Sequence, residues 1–128
     1  MTPERFQEIV KELQTKTTDV LTQKAMEYSR NGERFHNFVV AGRRLGCDPI
    51  QALVGMKEKH SVSLVDMLED LKDGKLPTID MLNEKFGDEI NYLILEYAMF
   101  RERIDATTKG AEASAQRPAS PDAAIELE

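Results

Sequence analysis

The chain has no tryptophan, a single cysteine, five prolines and only 6% aromatic residues in 128 positions. With Cys47 alone, no internal disulfide framework and no four-cysteine zinc site can form. That fits a reducing compartment. Apolar runs are short, and none approaches the roughly 18–20 residues of a membrane-spanning helix. The opening Met1-Thr2-Pro3-Glu4-Arg5 lacks the apolar stretch of a secretory signal. These absences lead to the expectation of a soluble protein of the cytoplasm, with no membrane partner. Basic excess is missing too: 17 Lys and Arg face 23 Asp and Glu, for a net charge of −6. A surface of that sign does not neutralise phosphates along a duplex, so bulk nucleic acid is excluded as a partner, though a small basic pocket is not. Sustained period-two alternation is also lacking, which argues against a sheet.

What the sequence does contain is helical punctuation. Thr2-Pro3 reads as an N-cap followed by proline at the first helical position. Phe6, Ile9, Val10, Leu13, Val20 and Leu21 follow at helical steps to about Tyr28. Ser29-Arg30-Asn31-Gly32 breaks that helix. A shorter one spans about Glu33 to Leu45, with Phe35, Phe38, Val39 and Leu45 inward and Gly46 past its end. Asp48-Pro49 repeats the start signal, and Ile50, Leu53, Met56, His60, Leu64, Met67 and Leu71 make the inward stripe. Asp73-Gly74-Lys75 stops it. Thr78 then caps a fourth helix, with Ile79, Leu82, Phe86, Ile90, Leu93, Tyr97, Phe100 and Ile104 on one face. The reading is an all-α fold, a four-helix bundle over residues 1–105. Residues 106–128 are rich in Ala and Ser, contain Pro118 and Pro121, and read as a disordered tail.

The fourth helix is apolar on two sides. Opposite the Phe86 stripe, Glu84, Asp88 and Asn91 lie together among Met81, Tyr92, Leu95, Ala98 and Met99. One reading is a solvated face beside a contact between copies. The other is a partly buried carboxylate site, which needs a cation or donors to compensate it. The Met81, Leu95 and Met99 side predicts a homodimer or larger homo-oligomer.

On the third helix, Lys59, Ser63, Asp66 and Asp70 form a stripe beside His60, with Glu69 further round. A short connection makes the third and fourth helices antiparallel neighbours. That register sets Asp66 level with Glu84, Ser63 with Asp88, and Lys59 or His60 with Asn91. Carboxylates from two helices would then converge as hard oxygen ligands for Mg²⁺, which usually also takes phosphate oxygens. The loop before the second helix offers different groups: Tyr28 to stack on a base, Arg30 and Arg34 to hold phosphates, Asn37 to read a base or sugar edge. A lone histidine on an apolar stripe, His60, is also the pattern of a hydrogen-bonded core residue, and Phe35 and Phe38 are the pattern of core rings.

Three segments together carry a resemblance: Tyr28-Ser-Arg-Asn-Gly-Glu-Arg-Phe-His-Asn37-Phe38, Lys59-His60-Ser-Val-Ser63-Leu-Val-Asp66, and Glu84-Lys-Phe-Gly-Asp88-Glu-Ile-Asn91-Tyr92-Leu. They resemble a small phage and bacterial nucleotide-modification-associated domain over residues 20–104. More distantly, the last two helices are similar to the all-α MazG and dimeric dUTPase-type nucleoside triphosphate pyrophosphohydrolases, which hold Mg²⁺ on two acidic pairs. That likeness implies Asp66 and Glu69 as one pair and Glu84 and Asp88 as the other. The sequence departs from it at Asp66, where glutamate is usual, and at Lys85, where a second glutamate is often found. The resemblance implies a phage-type nucleotide-handling protein in the host cytoplasm. As a Mg²⁺-dependent hydrolase it would use Asp66, Glu84 and Asp88 with Lys59 offsetting developing charge. As a non-catalytic anti-defence module it would sequester a nucleotide immune signal on Arg30, Arg34, Lys59 and His60. In both, Tyr28, Asn37 and Asn91 orient the nucleotide. A purely structural helical oligomer is the remaining reading.

Overall fold

The structure, a computed structural model, describes residues 1–117, apart from the side chain of Tyr28. Among these residues the fold is all-α, a four-helix bundle: α1 (Pro3–Tyr28), α2 (His36–Leu45), α3 (Pro49–Lys72) and α4 (Ile79–Gln116). None of the helices is long and apolar enough to cross a membrane.

Each start is fixed by local chemistry. Thr2 Oγ1 accepts from the Arg5 amide at 3.1 Å, with Pro3 behind it. Asp48 Oδ1 accepts from the Ile50 amide at 2.8 Å, while Gln51 Oε1 accepts from the Asp48 amide at 3.4 Å. Thr78 Oγ1 accepts from the Met81 amide at 3.1 Å. These caps satisfy amides that the first helical turn leaves without partners.

Between α1 and α2 the chain reverses through Asn31 and Gly32, both at positive φ, and Arg30 and Glu33 exchange backbone hydrogen bonds of 3.2 and 2.9 Å. The Glu33 side chain then accepts from the Phe35 amide. That fold-back holds Glu33 outside the helix, so α2 begins at His36 rather than Glu33. At its far end Gly42 packs close to the backbone of the next turn. A Cβ there would stand 2.8 Å from the Cys47 carbonyl oxygen and 3.0 Å from the Pro49 nitrogen.

The α3–α4 pair forms the spine, with α2 against α3 and α1 chiefly against α4. Phe35, Phe38, Ile50, Leu53, Leu95 and Met99 make the core, and Leu21, Val54, Met56, Tyr92 and Ala98 pack on it. Among the described residues Leu53 is the most shielded of the core, at 0% exposure. Burial fades along α3, so Met67 is half-buried and Leu71 exposed.

Two expectations are corrected. The inward face of α4 is the Asn91, Leu95 and Met99 side, while Phe86, Leu93, Tyr97, Phe100 and Ile104 are exposed. Two apolar faces compete on this helix. The Leu95–Met99 face is the one that packs with Phe35 and Leu53 in the core. The helix also runs eleven residues beyond Asp105, to Gln116. Ala106, Ala111, Ala113 and Ala115 are strong helix formers that continue a helix already nucleated. The tail expected from 106 is therefore helical to 116, and its remainder, 118–128, lies outside the described residues.

Candidate functional site

Glu84, Asp88 and Asn91 stand at steps of four and three on α4, hence on one face. α1 brings Lys16 and Asp19 across from them. Between the two helices lies a cleft of 390 Å³, lined by Lys16, Asp19, Glu84, Gly87, Asp88 and Asn91 among others. Gly87 adds no side chain, which leaves room between the two carboxylates. Thr17, on the same stretch of α1, is buried.

Asn91 is the unusual member. It is 3% exposed, and neither its Nδ2 nor its Oδ1 has a hydrogen-bond partner. A buried polar atom left unpaired costs about 1–3 kcal/mol. Here both a donor and an acceptor are buried and unpaired, side by side, in a residue that lines the cleft. That pair is complementary to another planar donor–acceptor edge.

Behind Asn91 the α3–α4 seam is polar and ordered. His60 Nδ1 stands 3.5 Å from Asp88 Oδ2, and the imidazole lies 4.8 Å from the Tyr92 ring, tilted by 36°. Burial pushes the His60 pKa below its usual value, and Asp88 opposes that shift without cancelling it. The ring is thus neutral near pH 7. One step along, Ser61 donates to Glu89 Oε1 at 2.8 Å, leaving Glu89 Oε2 buried and unpaired. Lys57 donates to Glu96 Oε2 at 2.9 Å, both side chains being largely covered.

The residues expected from sequence divide into those the fold gathers and those it separates. Glu84, Asp88 and Asn91 line the cleft, and His60 reaches Asp88 from α3, at the place where Ser63 was expected. Lys59, Asp66 and Glu69 do not join them. α3 turns Lys57, His60 and Ser61 toward α4, which carries Asp66 about 120° round the helix from His60, into solvent. Asp66 is exposed, Ser63 donates to the Lys59 carbonyl of its own helix, and Glu69 pairs with Lys72 at 2.8 Å. Glu84 stands beside Lys85 at 3.7 Å. Among the described residues no three His, Cys, Asp or Glu side chains gather as a metal site. The set Asp66, Glu69, Glu84 and Asp88 therefore does not fit Mg²⁺ within one chain.

The α1–α2 segment is likewise apart from the cleft. Arg30 sits exposed in the turn, Asn37 is exposed on the first turn of α2, and neither lines it. Arg34 is half-buried, with Nη1 shielded and unpaired, and burial lowers its pKa. Tyr28 was expected to stack on a base; its side chain lies outside the described residues.

Lys16, Asp19, Lys57, Ser61, Glu89 and Glu96 were not anticipated. A signal for two of them was present. Lys57 and Ser61 continue the line of Leu53 and Leu64 at steps of four and three, so polar groups occupy core-facing positions. Lys16 and Asp19 read as ordinary surface charge, and only the docking of α1 shows what they face.

Compared with protein-family models, curated proteins and solved structures, the chain matches none.

Proposed function

We propose that this is a nucleotide-binding protein that holds its ligand by the nucleoside end, in the α1–α4 cleft, without turning it over. The carrying observation is the buried amide of Asn91, unpaired at both atoms in a residue that lines the cleft. A nucleobase edge offers the donor and acceptor that amide lacks, as asparagine does in reading adenine. Asp19, Glu84 and Asp88 outnumber Lys16 at the opening. Carboxylates accept from ribose hydroxyls and exocyclic amines but repel phosphates, so the phosphate end points outward. The separation of Asp66 and Glu69 from Glu84 and Asp88 supports binding over Mg²⁺-dependent hydrolysis. Retention without reaction is what a sequestering module requires.

Calorimetric titration with nucleosides and with their mono- and triphosphates, with and without Mg²⁺, tests this. The expected result is binding by nucleoside and nucleotide alike, indifferent to Mg²⁺ and lost in Asn91→Leu. Release of pyrophosphate or phosphate in the presence of Mg²⁺ overturns the non-catalytic reading. No binding by any of them overturns the nucleotide reading.

A further inference from the structure

Independently of any ligand, the exposed side of α4 carries a seven-residue repeat. Ile79, Phe86, Leu93 and Phe100 recur every seven positions, and Ile90, Tyr97 and Ile104 interleave with them at steps of four and three. This 3.5-residue period is that of a coiled-coil seam. Near its beginning Ile9 and Leu13 of α1 line one pocket with Leu82 and Phe86, while Ile79 stays 69% exposed. Beyond that the seam is bare: Tyr97 is 66% exposed, Phe100 52% and Ile104 60%. Every residue from Arg101 to Gln116 is exposed as well.

The chain's total exposed area points the same way. It is 10085 Å², against about 6,900 Å² for a compact monomer of this mass. After a full unfolded-chain allowance of roughly 1,700 Å² for residues 118–128, a surplus remains. That surplus exceeds the ~800 Å² each partner of a stable complex buries.

We propose that the seam is covered by a second copy of this chain, α4 against α4, antiparallel about a two-fold axis between Tyr97 and Phe100. In that register Tyr97 meets the second copy's Phe100 and Leu93 meets its Ile104. Glu96 and Arg103, which flank the seam, are engaged by Lys57 and Asp48 of their own chain, so the projecting helix end sets the direction. The antiparallel arrangement lays that end of α4, marginal as a lone helix in water, along the body of the other copy.

Light scattering of the full chain should give a dimer mass at micromolar concentration, and a monomer at 100 μM overturns the proposal. Tyr97→Glu with Phe100→Glu should raise the dimer dissociation constant at least 100-fold with helicity unchanged by circular dichroism. Should that pair lose helicity, Ile104→Glu, exposed beyond the core, carries the same expectation. Val65→Glu, on the exposed apolar side of α3, should leave the dimer intact; loss of the dimer there, with the α4 variants still dimeric, overturns the assignment. Direction is read from spin labels at Glu112→Cys in a Cys47→Ser chain. Antiparallel pairing places them about 40 Å apart from the helical rise. A separation near 10 Å, the spacing of packed parallel helices, overturns it.

Discussion

Replacing Asn91 by leucine should stabilise the free protein while destroying its proposed ligand site. The two side chains have similar size, so the substitution fits without opening a cavity. What changes is the fate of Nδ2 and Oδ1, both buried and unpaired. Each unpaired atom costs about 1–3 kcal/mol. Apolar surface in the same buried position replaces that cost. Allowing for imperfect packing, a net gain of about 1–3 kcal/mol is expected. A chain of 128 residues unfolds with an entropy of about 2.1 cal/mol/K per residue, so each kcal/mol moves Tm by roughly 4 °C. Differential scanning calorimetry without ligand should therefore show a rise of about 4–12 °C. The same variant should lose the stabilisation that the proposed binding predicts nucleoside to give wild type, about 2.7 kcal/mol at a hundred times Kd. Stability gained where binding is lost is the mark of a site kept unsatisfied for its ligand. A fall in Tm would refute the reasoning, because it would mean that the amide is already satisfied in the free protein.

Three other outcomes follow from the geometry. His60 has a folded pKa below its ordinary value of 6.5, so the unfolded chain takes up its proton first as pH falls. Urea melts should show stability declining below about pH 6.5 until the folded group also protonates, and His60→Gln should flatten that decline. Gly42→Ala forces a methyl against the Cys47 carbonyl and Pro49, where no flexible side chain can yield, and should cost about 1–3 kcal/mol in equilibrium unfolding. Lys57→Ala leaves the Glu96 carboxylate covered and unpaired, and should cost about 2–3 kcal/mol at neutral pH, partly restored by adding Glu96→Gln.

Helix starts were legible in the sequence because they depend on a few adjacent residues. Thr2-Pro3, Asp48-Pro49 and Thr78 cap where their side chains indicated. The register of α3 on α4 was legible to within about a turn, since a short connection leaves little choice: His60 stands beside Asp88, where Ser63 was expected. Rotation about the α4 axis was not legible, whereas the inward stripe of α3 through Ile50, Leu53 and His60 was. α4 has two apolar faces, and periodicity identifies both without ranking them; the choice falls to packing with Phe35 and Leu53. On α3 a turn of one residue, about 100°, separates the stripe of Lys59 and Ser63 from that of His60. The sequence pattern favoured the charged stripe for chemistry, while packing turned the other inward. The long continuation of α4 was missed because alanine-rich sequence is read as tail when it has no apolar face, although its helix propensity is high.

The attachment of α1 chiefly to α4 has a kinetic consequence. One wall of the cleft, with Lys16 and Asp19, belongs to a helix joined to the rest by the Ser29–Phe35 turn; the other belongs to the spine. A swing of α1 about that turn widens the entrance and leaves Asn91, Asp88 and His60 at their positions. Entry of the proposed ligand would then be a single-hinge event that breaks few core contacts. Amide hydrogens of α1 should exchange ahead of those in the Leu53–Leu95 region, and bound ligand should slow α1 most. Affinity would be set by how long α1 stays closed, so changes on its cleft-facing side should appear in the dissociation rate and hardly in the association rate.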